Sequence, residues 1–535
     1  MSAQPRTGSP QPGPPRPARA PNPADYRWRA LAVCLVAGFM TMLDVSIVNV
    51  ALPSLKAGLH ASSDDLQWVL SGYALAFGLV LVPAGRLGDI HGRRAAFMTG
   101  LAAFTLTSAA AGLATGPGWL VAARFAQGLA SGVLNPQVAG LIQQLFQGRE
   151  RGRAFGMLGA VIGISTALGP LLGGLLIAAG GPTDGWRWVF YVNVPIGLAA
   201  LPAAYRLLPS LHEIREHERA GGRAQGRTSG AARPEGLDPV GVLLLAAGVV
   251  AMLLPLVEEQ QWHSRLKWLL LPLAALFLAA FVPWERRRQG RAGALVDLTL
   301  FRLRSYSLGS AIALVYFAGF TAIFFIFTLY VQAGLGYSAL LAGAAITPFA
   351  VGSGIASALG GRVVTRFGRP LIAAGLLLVG LGLGATLLAV HLVPGREVGW
   401  VTLGPLAVAG LGSGLVIAPN QAITLSEVPV RDAGSAAGVL QTGQRIGSAV
   451  GIAVVGSVFF AALGPASAGA AGAAGGGVPH DPARWAHAFQ RGLVVAIALV
   501  ALALLVALYD VAATHRRDAD AAADHSDDAP AAARG

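Results

Sequence analysis

Runs of about twenty mostly apolar residues, separated by short polar loops, recur along this chain from Ala30 to Tyr509. That pattern limits the possible folds more than any other feature. A helix of about 20 residues crosses the hydrocarbon core of a bilayer, and only helices and closed barrels satisfy their own backbone there. The runs are continuous and do not alternate with period two, which excludes a β-barrel. Fourteen membrane-spanning helices are expected. Composition agrees, with 54% hydrophobic and only 12% charged residues, whereas a soluble domain carries about 25% charged residues. The 71 glycines suit helices that pack closely in lipid.

A net charge of +13 invites a nucleic-acid partner, but the placement of the charges rejects one. The arginines lie in the loops between apolar runs, where they act as topology signals. With the N-terminus inside, one set of loops holds Arg86, Arg93 and Arg94, then Arg149, Arg151 and Arg153. It continues through the basic stretch Arg215 to Arg233, Arg286 to Arg288, and Arg362, Arg366 and Arg369. The opposite loops hold scattered cases such as Lys56, Arg265 and Arg396. Both termini are therefore expected in the cytoplasm, with the protein multi-pass in a cell (inner) membrane. Arginine far exceeds lysine and alanine is abundant, which points to a GC-rich bacterial genome. Parity does not separate twelve helices from fourteen. The larger number rests on hydropathy, with the seventh span (Val240–Val257) and the eighth (Trp268–Trp284) near the short limit.

The resulting organisation is a disordered N-terminus (1–29), a six-helix bundle (30–208) and a linker (209–239). Two inserted helices (240–284), a loop (285–305), a second six-helix bundle (306–511) and a disordered tail (512–535) follow. One cysteine, Cys34, leaves no intramolecular disulfide and no cysteine metal site. No cofactor or metal is expected. His212-Glu213-Ile214-Arg215-Glu216-His217 misses the His-Glu-x-x-His zinc spacing by one residue. No phosphate-binding Gly-x-x-x-x-Gly-Lys loop and no Gly-x-Ser-x-Gly elbow is present.

An internal repeat supports the division into halves. Gly85-Arg86-Leu87 with Gly92-Arg93 after the second span returns as Gly361-Arg362-Val363 with Gly368-Arg369 after the tenth. The first copy has Asp89 among its arginines; the second has Thr365 and Arg366.

With these motifs the chain resembles the major facilitator superfamily and, within it, the fourteen-helix drug:proton antiporters of the EmrB/QacA type. The loop Gly85 to Arg94 is similar to the signature loop of that superfamily, although Ile90 stands where an arginine is usual. The resemblance implies a breakable conformational lock involving Asp89, Arg93, Arg94 and Arg366. Arg124-Phe125-Ala126-Gln127-Gly128 resembles the Arg-x-x-Gln-Gly motif linked to proton coupling. Leu43-Asp44-Val45-Ser46 through Pro53 resembles the first-span signature of the group. By helical rise Asp44 and Arg124 fall in the same half of the membrane, so an Asp–Arg pair is geometrically reasonable. Gly156, Gly159, Gly163 and Gly169-Pro170-Leu171-Leu172-Gly173-Gly174 resemble the antiporter motif, with Ser165 at a position normally held by glycine. Trp186 to Gly197 and Gly434 to Gly438 also fit the group.

Two further features complete the expected site. Tyr316, Phe320, Phe324 and Phe327 share one helical stripe in the ninth span, which either faces lipid or lines a substrate cavity with Gln127, where it would suit flat apolar or cationic molecules. The resemblance implies that this helix lines a central cavity. Arg445 lies near mid-membrane in the thirteenth span, facing either a substrate path or a structural partner. The expectation is a monomeric, lipid-embedded secondary transporter that exports small molecules against protons without ATP. The alternatives are a metabolite symporter or facilitator of the same fold, and less readily a membrane enzyme or a non-transporting sensor.

Overall fold

The computed structural model describes residues 23–210, 236–257, 262, 264–289, 293–464 and 481–527. The basic stretch Arg215 to Arg233 and the near-zinc string His212 to His217 lie outside the described residues.

Helices carry the whole fold, and no strand occurs among the described residues. The first bundle contains α1 (Pro23–Leu59), α2 (Ser63–His91), α3 (Arg93–Gly112) and α4 (Pro117–Leu145). It is completed by α5 (Gly148–Gly181) and α6 (Thr183–Leu207). Next come α7 (Pro239–Val257) and α8 (Leu270–Arg288). The second bundle contains α9 (Arg304–Leu329), α10 (Ala339–Phe367), α11 (Arg369–Leu392), α12 (Leu403–Thr424), α13 (Ala433–Leu463) and α14 (Pro482–Asp527). Thirteen helical stretches among the described residues are long and apolar enough to cross a membrane. The fourteenth helix, α4, is 29 residues long but carries Arg124, Gln127, Asn135, Gln137, Gln143 and Gln144. Most of its polar side chains bond to other parts of the fold, Arg124 to α1, Gln137 to α2 and Gln144 to α3, while Asn135 bonds its own helix at Ser131.

Local chemistry sets the boundaries. Ser62 and Asp65 form a reciprocal capping box at the start of α2, at 2.9 Å and 3.1 Å. Gly92 (φ 99°) alone joins α2 to α3, and Gly368 (φ 56°) alone joins α10 to α11. Left-handed backbone suits glycine, so the second glycine of each repeat copy is a one-residue turn. Gly181 (φ 84°, ψ 167°) breaks α5 from α6 in the same way. As a result the sixth helix begins at Thr183. Helix also occupies 23–29 and continues from 512 to 527, inside segments expected to be disordered. The Ala-rich stretch beyond Val511 is a good helix former and extends α14.

Helices α1–α6 pack together, as do α9–α14. The halves meet along two seams, α2 against α13 and α5 against α10. Advancing by eight helices turns α2 into α10 and α5 into α13, so each seam is the other with the halves exchanged. Helices α7 and α8 pair with each other. They lean on the first seam, where Val249 and Leu253 cluster with Leu75 of α2 and Ala449 of α13. A single buried apolar cluster then runs from Leu134 and Phe155 in the first bundle to Tyr306, Leu425 and Ala436 in the second. It ties the halves together at the end of the bundle that carries the α2–α3 turn, referred to below as the basic end.

Candidate functional site

Inside the first bundle one carboxylate collects three polar neighbours. Asp44 of α1 is fully buried, and Arg124 of α4 approaches it at 2.6 Å from Nη1 to Oδ2. Gln127, one turn after Arg124, donates to Asp44 Oδ1 at 3.0 Å, and the Asn193 amide of α6 donates to the same oxygen at 3.2 Å. Arg124 Nη1 also reaches Gln127 Oε1 at 2.7 Å, while its Nε donates to the Val69 carbonyl at 3.2 Å. Asn193 additionally donates to Ser108 Oγ of α3 at 3.2 Å. The guanidinium lies 4.2 Å from the Tyr73 ring centroid. Four of the six helices of the bundle therefore converge on one charge pair, with α2 contributing a carbonyl and a ring. A buried pair is tolerated only with such dense hydrogen bonding, because burying two charges costs several kcal/mol each. Its chemistry is that of a carboxylate that can take a proton and an arginine that can be displaced.

A second acid sits at the basic end of the seam between α2 and α13. Asp89 has a buried side chain, 1% exposed, and pairs with Arg93 at 2.8 Å. It accepts backbone N–H bonds from Gly434 at 3.0 Å and Ser435 at 2.8 Å, at the first turn of α13. The positive end of a helix dipole favours a carboxylate there. Arg93 in turn donates to the Gly140 carbonyl at 3.2 Å, to Gln144 at 3.1 Å and to the Val430 carbonyl. Gln143 donates to the Leu425 carbonyl at 2.6 Å, adding another bond between the halves. Arg94 stands apart, over the Tyr205 ring at 4.6 Å, and Arg366 lies exposed over Phe367 at 5.4 Å.

Glycines close both seams, and the first glycine of each repeat copy is one of them. A Cβ on Gly85 would collide with the Gly434 backbone, and one on Gly361 with Gly152 and Gly156. A Cβ on Gly156 would lie 2.7 Å from the Ser357 carbonyl oxygen and 2.8 Å from Gly361 Cα. Further along α5, Gly169 faces Ser46, Gly173 faces Ile47, and Pro170 packs on Gly343 of α10. Gly174 meets nothing within 4 Å. Ser165 donates to its own helix at Val161, 2.7 Å, and Ser46 donates to the Thr166 carbonyl at 3.2 Å.

In α9, Tyr316 stacks on Phe320 at 5.5 Å, and Phe320 and Phe324 both meet Phe349 of α10 at 5.8 Å and 5.1 Å. Phe327 leaves this group and packs on Phe489 of α14 at 5.9 Å. Eleven residues of rise, about 16 Å from Tyr316, carry it past Phe349. Arg445 of α13 crosses between the halves to lie 4.4 Å from the Phe77 ring centroid of α2.

Asn193 and the amides of Gly434 and Ser435 are site groups to which the sequence alone assigned no role. All three lie within strings that fit the group, but their partners are 149, 345 and 346 residues away.

Comparison with known proteins agrees with this architecture. Residues 34–452 match the profile of the Major Facilitator Superfamily. The chain is 39% identical over 457 residues to the "Probable actinorhodin transporter" of Streptomyces coelicolor, covering 85% of this chain and 76% of that protein. It is 34% identical over 507 residues to the "Puromycin resistance protein pur8" of Streptomyces alboniger, covering 91% of each. Among solved structures, the human organic anion transporter MFSD10 superposes with a TM-score of 0.63 at 15% identity, covering 90% of this chain and 99% of that one. At that identity the likeness concerns fold alone. With two six-helix halves, two exchanged seams and a match across most of its length, this chain is a multi-pass membrane protein of the major facilitator superfamily, a transporter family.

Proposed function

We propose that the chain exports small drug-like organic molecules by alternating access, in exchange for protons that enter through Asp44. The carrying observation is the convergence of Arg124, Gln127 and Asn193 on one buried carboxylate. A charge kept at such cost inside a membrane bundle serves function by default. Antibiotic transport and resistance in the names of the relatives support export as the direction. The glycine-lined α5–α10 seam supports exchange, because small residues let the halves rock on each other.

In this mechanism the basic end faces the cytoplasm, following the arginine asymmetry. The bonds of Asp89, Arg93 and Gln143 then hold the cytoplasmic side shut. From that state Asp44 takes a proton from outside, its ion pair with Arg124 loosens, and the halves re-pack to open inward. The proton is released as Arg124 returns, and substrate takes its place for the outward step. Asp44 carries the proton and Arg124 governs its release, while Asp89 and Arg93 latch the seam. Gly156 and Pro170 lie on the sliding surface, while Gly169 and Gly173 seat α5 on α1 of the same half. One chain contains both halves and acts as a monomer, as a transporter and not as an enzyme.

The test uses energised inside-out vesicles with an acid interior and a panel of ethidium, puromycin and fluorescein. A transported probe is expected to dissipate the pH gradient when added, as protons leave in exchange. A symporter would carry protons inward with the probe, and a probe taken up with no proton movement would overturn the coupling.

A further inference from the structure

Arg445 is a charge in the spanning region that the mechanism above does not use. It stands twelve residues into α13, about 18 Å from the start of that helix. Its guanidinium lies over Phe77, 4.4 Å from the ring centroid, and among the described residues it has neither a carboxylate nor a hydrogen-bond partner. A guanidinium carries five N–H donors, and stacking on a ring leaves those edges free. An unpaired cation facing lipid is too costly to persist, so its edges face water or a ligand.

The surroundings point the same way. Gln441 and Ser448, at i−4 and i+3, share the helical face of Arg445, and all three are half-buried. On the other side, Phe77 sits one turn along α2 from Tyr73, with the rings stacked at 6.2 Å. Two guanidiniums from opposite halves therefore rest on consecutive rings, Arg124 on Tyr73 and Arg445 on Phe77. Asp44 neutralises only the first. The region between the halves carries an excess positive charge, and protonating Asp44 increases it.

We propose that Arg445 is an anion-recognition site in the substrate path, taking a planar organic acid such as an aromatic carboxylate or an ionised phenol. The acid group pairs with the guanidinium edge, whose fork matches two oxygens, and the ring of the substrate lies beside Phe77. This inference rests on the export reading and replaces the preference for cations expected from the α9 aromatics. A fixed cation repels cationic drugs and attracts acids. It also sets the charge moved: one monoanion out and one proton in transfer two charges in the same electrical sense, whereas a monocation exchanged for a proton transfers none.

Fluorescence polarisation on the purified full-length protein tests this with two dyes that share a xanthene ring, anionic fluorescein and cationic rhodamine 6G. Wild type is expected to bind fluorescein at least ten-fold more tightly than rhodamine 6G. Arg445→Gln should lose at least ten-fold in fluorescein affinity while keeping or gaining rhodamine 6G affinity, and Arg445→Lys should retain most fluorescein binding. A wild type that prefers rhodamine 6G, binds neither dye or does not discriminate overturns the proposal. So does an Arg445→Gln variant that binds fluorescein as wild type does. Equilibrium binding needs no gradient and no direction of transport. A failure here leaves proton coupling standing, and a failure of coupling leaves this site standing.

Discussion

Asp89 accepts a 2.8 Å hydrogen bond from the backbone N–H of Ser435, a residue 346 positions away in the opposite half of the chain. The bond joins a side chain at the end of one helix to the free amides opening another, so it exists only while the α2–α13 seam is shut. Asp89→Asn keeps the shape but loses the charge that Arg93 and the α13 N-terminus favour. Charge-assisted bonds of this kind contribute about 1.5–3 kcal/mol. The expected outcome is a destabilised shut state with slower export. Ser435→Cys in a Cys34→Ser background reports it: maleimide labelling of the buried cysteine should rise several-fold with Asp89→Asn. Unchanged labelling would show that the bond does not hold the seam.

Gly156→Val tests the second seam. The added side chain meets the Ser357 carbonyl and Gly361 from less than 3 Å at its first atom, against backbone that has no rotamer to give way. Export is expected to fall by more than ten-fold while the protein still reaches the membrane. Gly174→Val, where nothing lies within 4 Å, should retain most activity. Equal loss at both positions would argue against a close-packed sliding surface.

Arg124→Ala leaves the Asp44 carboxylate buried without its cation. Removing one member of a buried pair costs about 3–5 kcal/mol, and a lowered unfolding temperature in detergent should report it. Arg124→Lys should not rescue transport, because one ammonium cannot meet Asp44, Gln127 and the Val69 carbonyl from the same geometry. In Asp44→Asn/Arg124→Gln the charges leave together, so much of the stability should return without coupled export. A double variant as unstable as Arg124→Ala would contradict pairing as the source of the cost.

Asn193→Ala removes one of the two amide donors on Asp44 Oδ1 and a donor to Ser108. The ion pair remains, so the fold should lose only about 1–3 kcal/mol, while proton-driven export falls about ten-fold as the carboxylate loses orientation. Export unchanged in a well-folded variant would remove Asn193 from the site.

Hydropathy and loop arginines made most of this fold legible, because lipid forces each span to be a continuous apolar helix. Helix α4 shows where that signal weakens. Its glutamines and Arg124 bond to other helices instead of facing lipid, so its motif identifies it better than its hydropathy does. The repeat glycines were legible as a pattern, but their two tasks were not. Gly92 and Gly368 turn the chain, whereas Gly85 and Gly361 lie at the seams. Matched depth along straight helices made a pairing of Asp44 with Arg124 reasonable, and the structure brings the two together. Asn193 did not follow, because its approach depends on how α6 packs against α1 and α3 after the break at Gly181. Phe327 shares the stripe of Tyr316 by periodicity, yet the rise of the helix hands it to α14.

Asp44→Asn measures the central claim most directly. In energised inside-out vesicles, the probe that wild type transports best is added, and gradient dissipation is recorded together with probe uptake. The variant is expected to insert and bind the probe as wild type does, but to show neither gradient-driven accumulation nor probe-induced dissipation. An Asp44→Asn variant that accumulates the probe and dissipates the gradient at the wild-type rate would contradict proton coupling at Asp44.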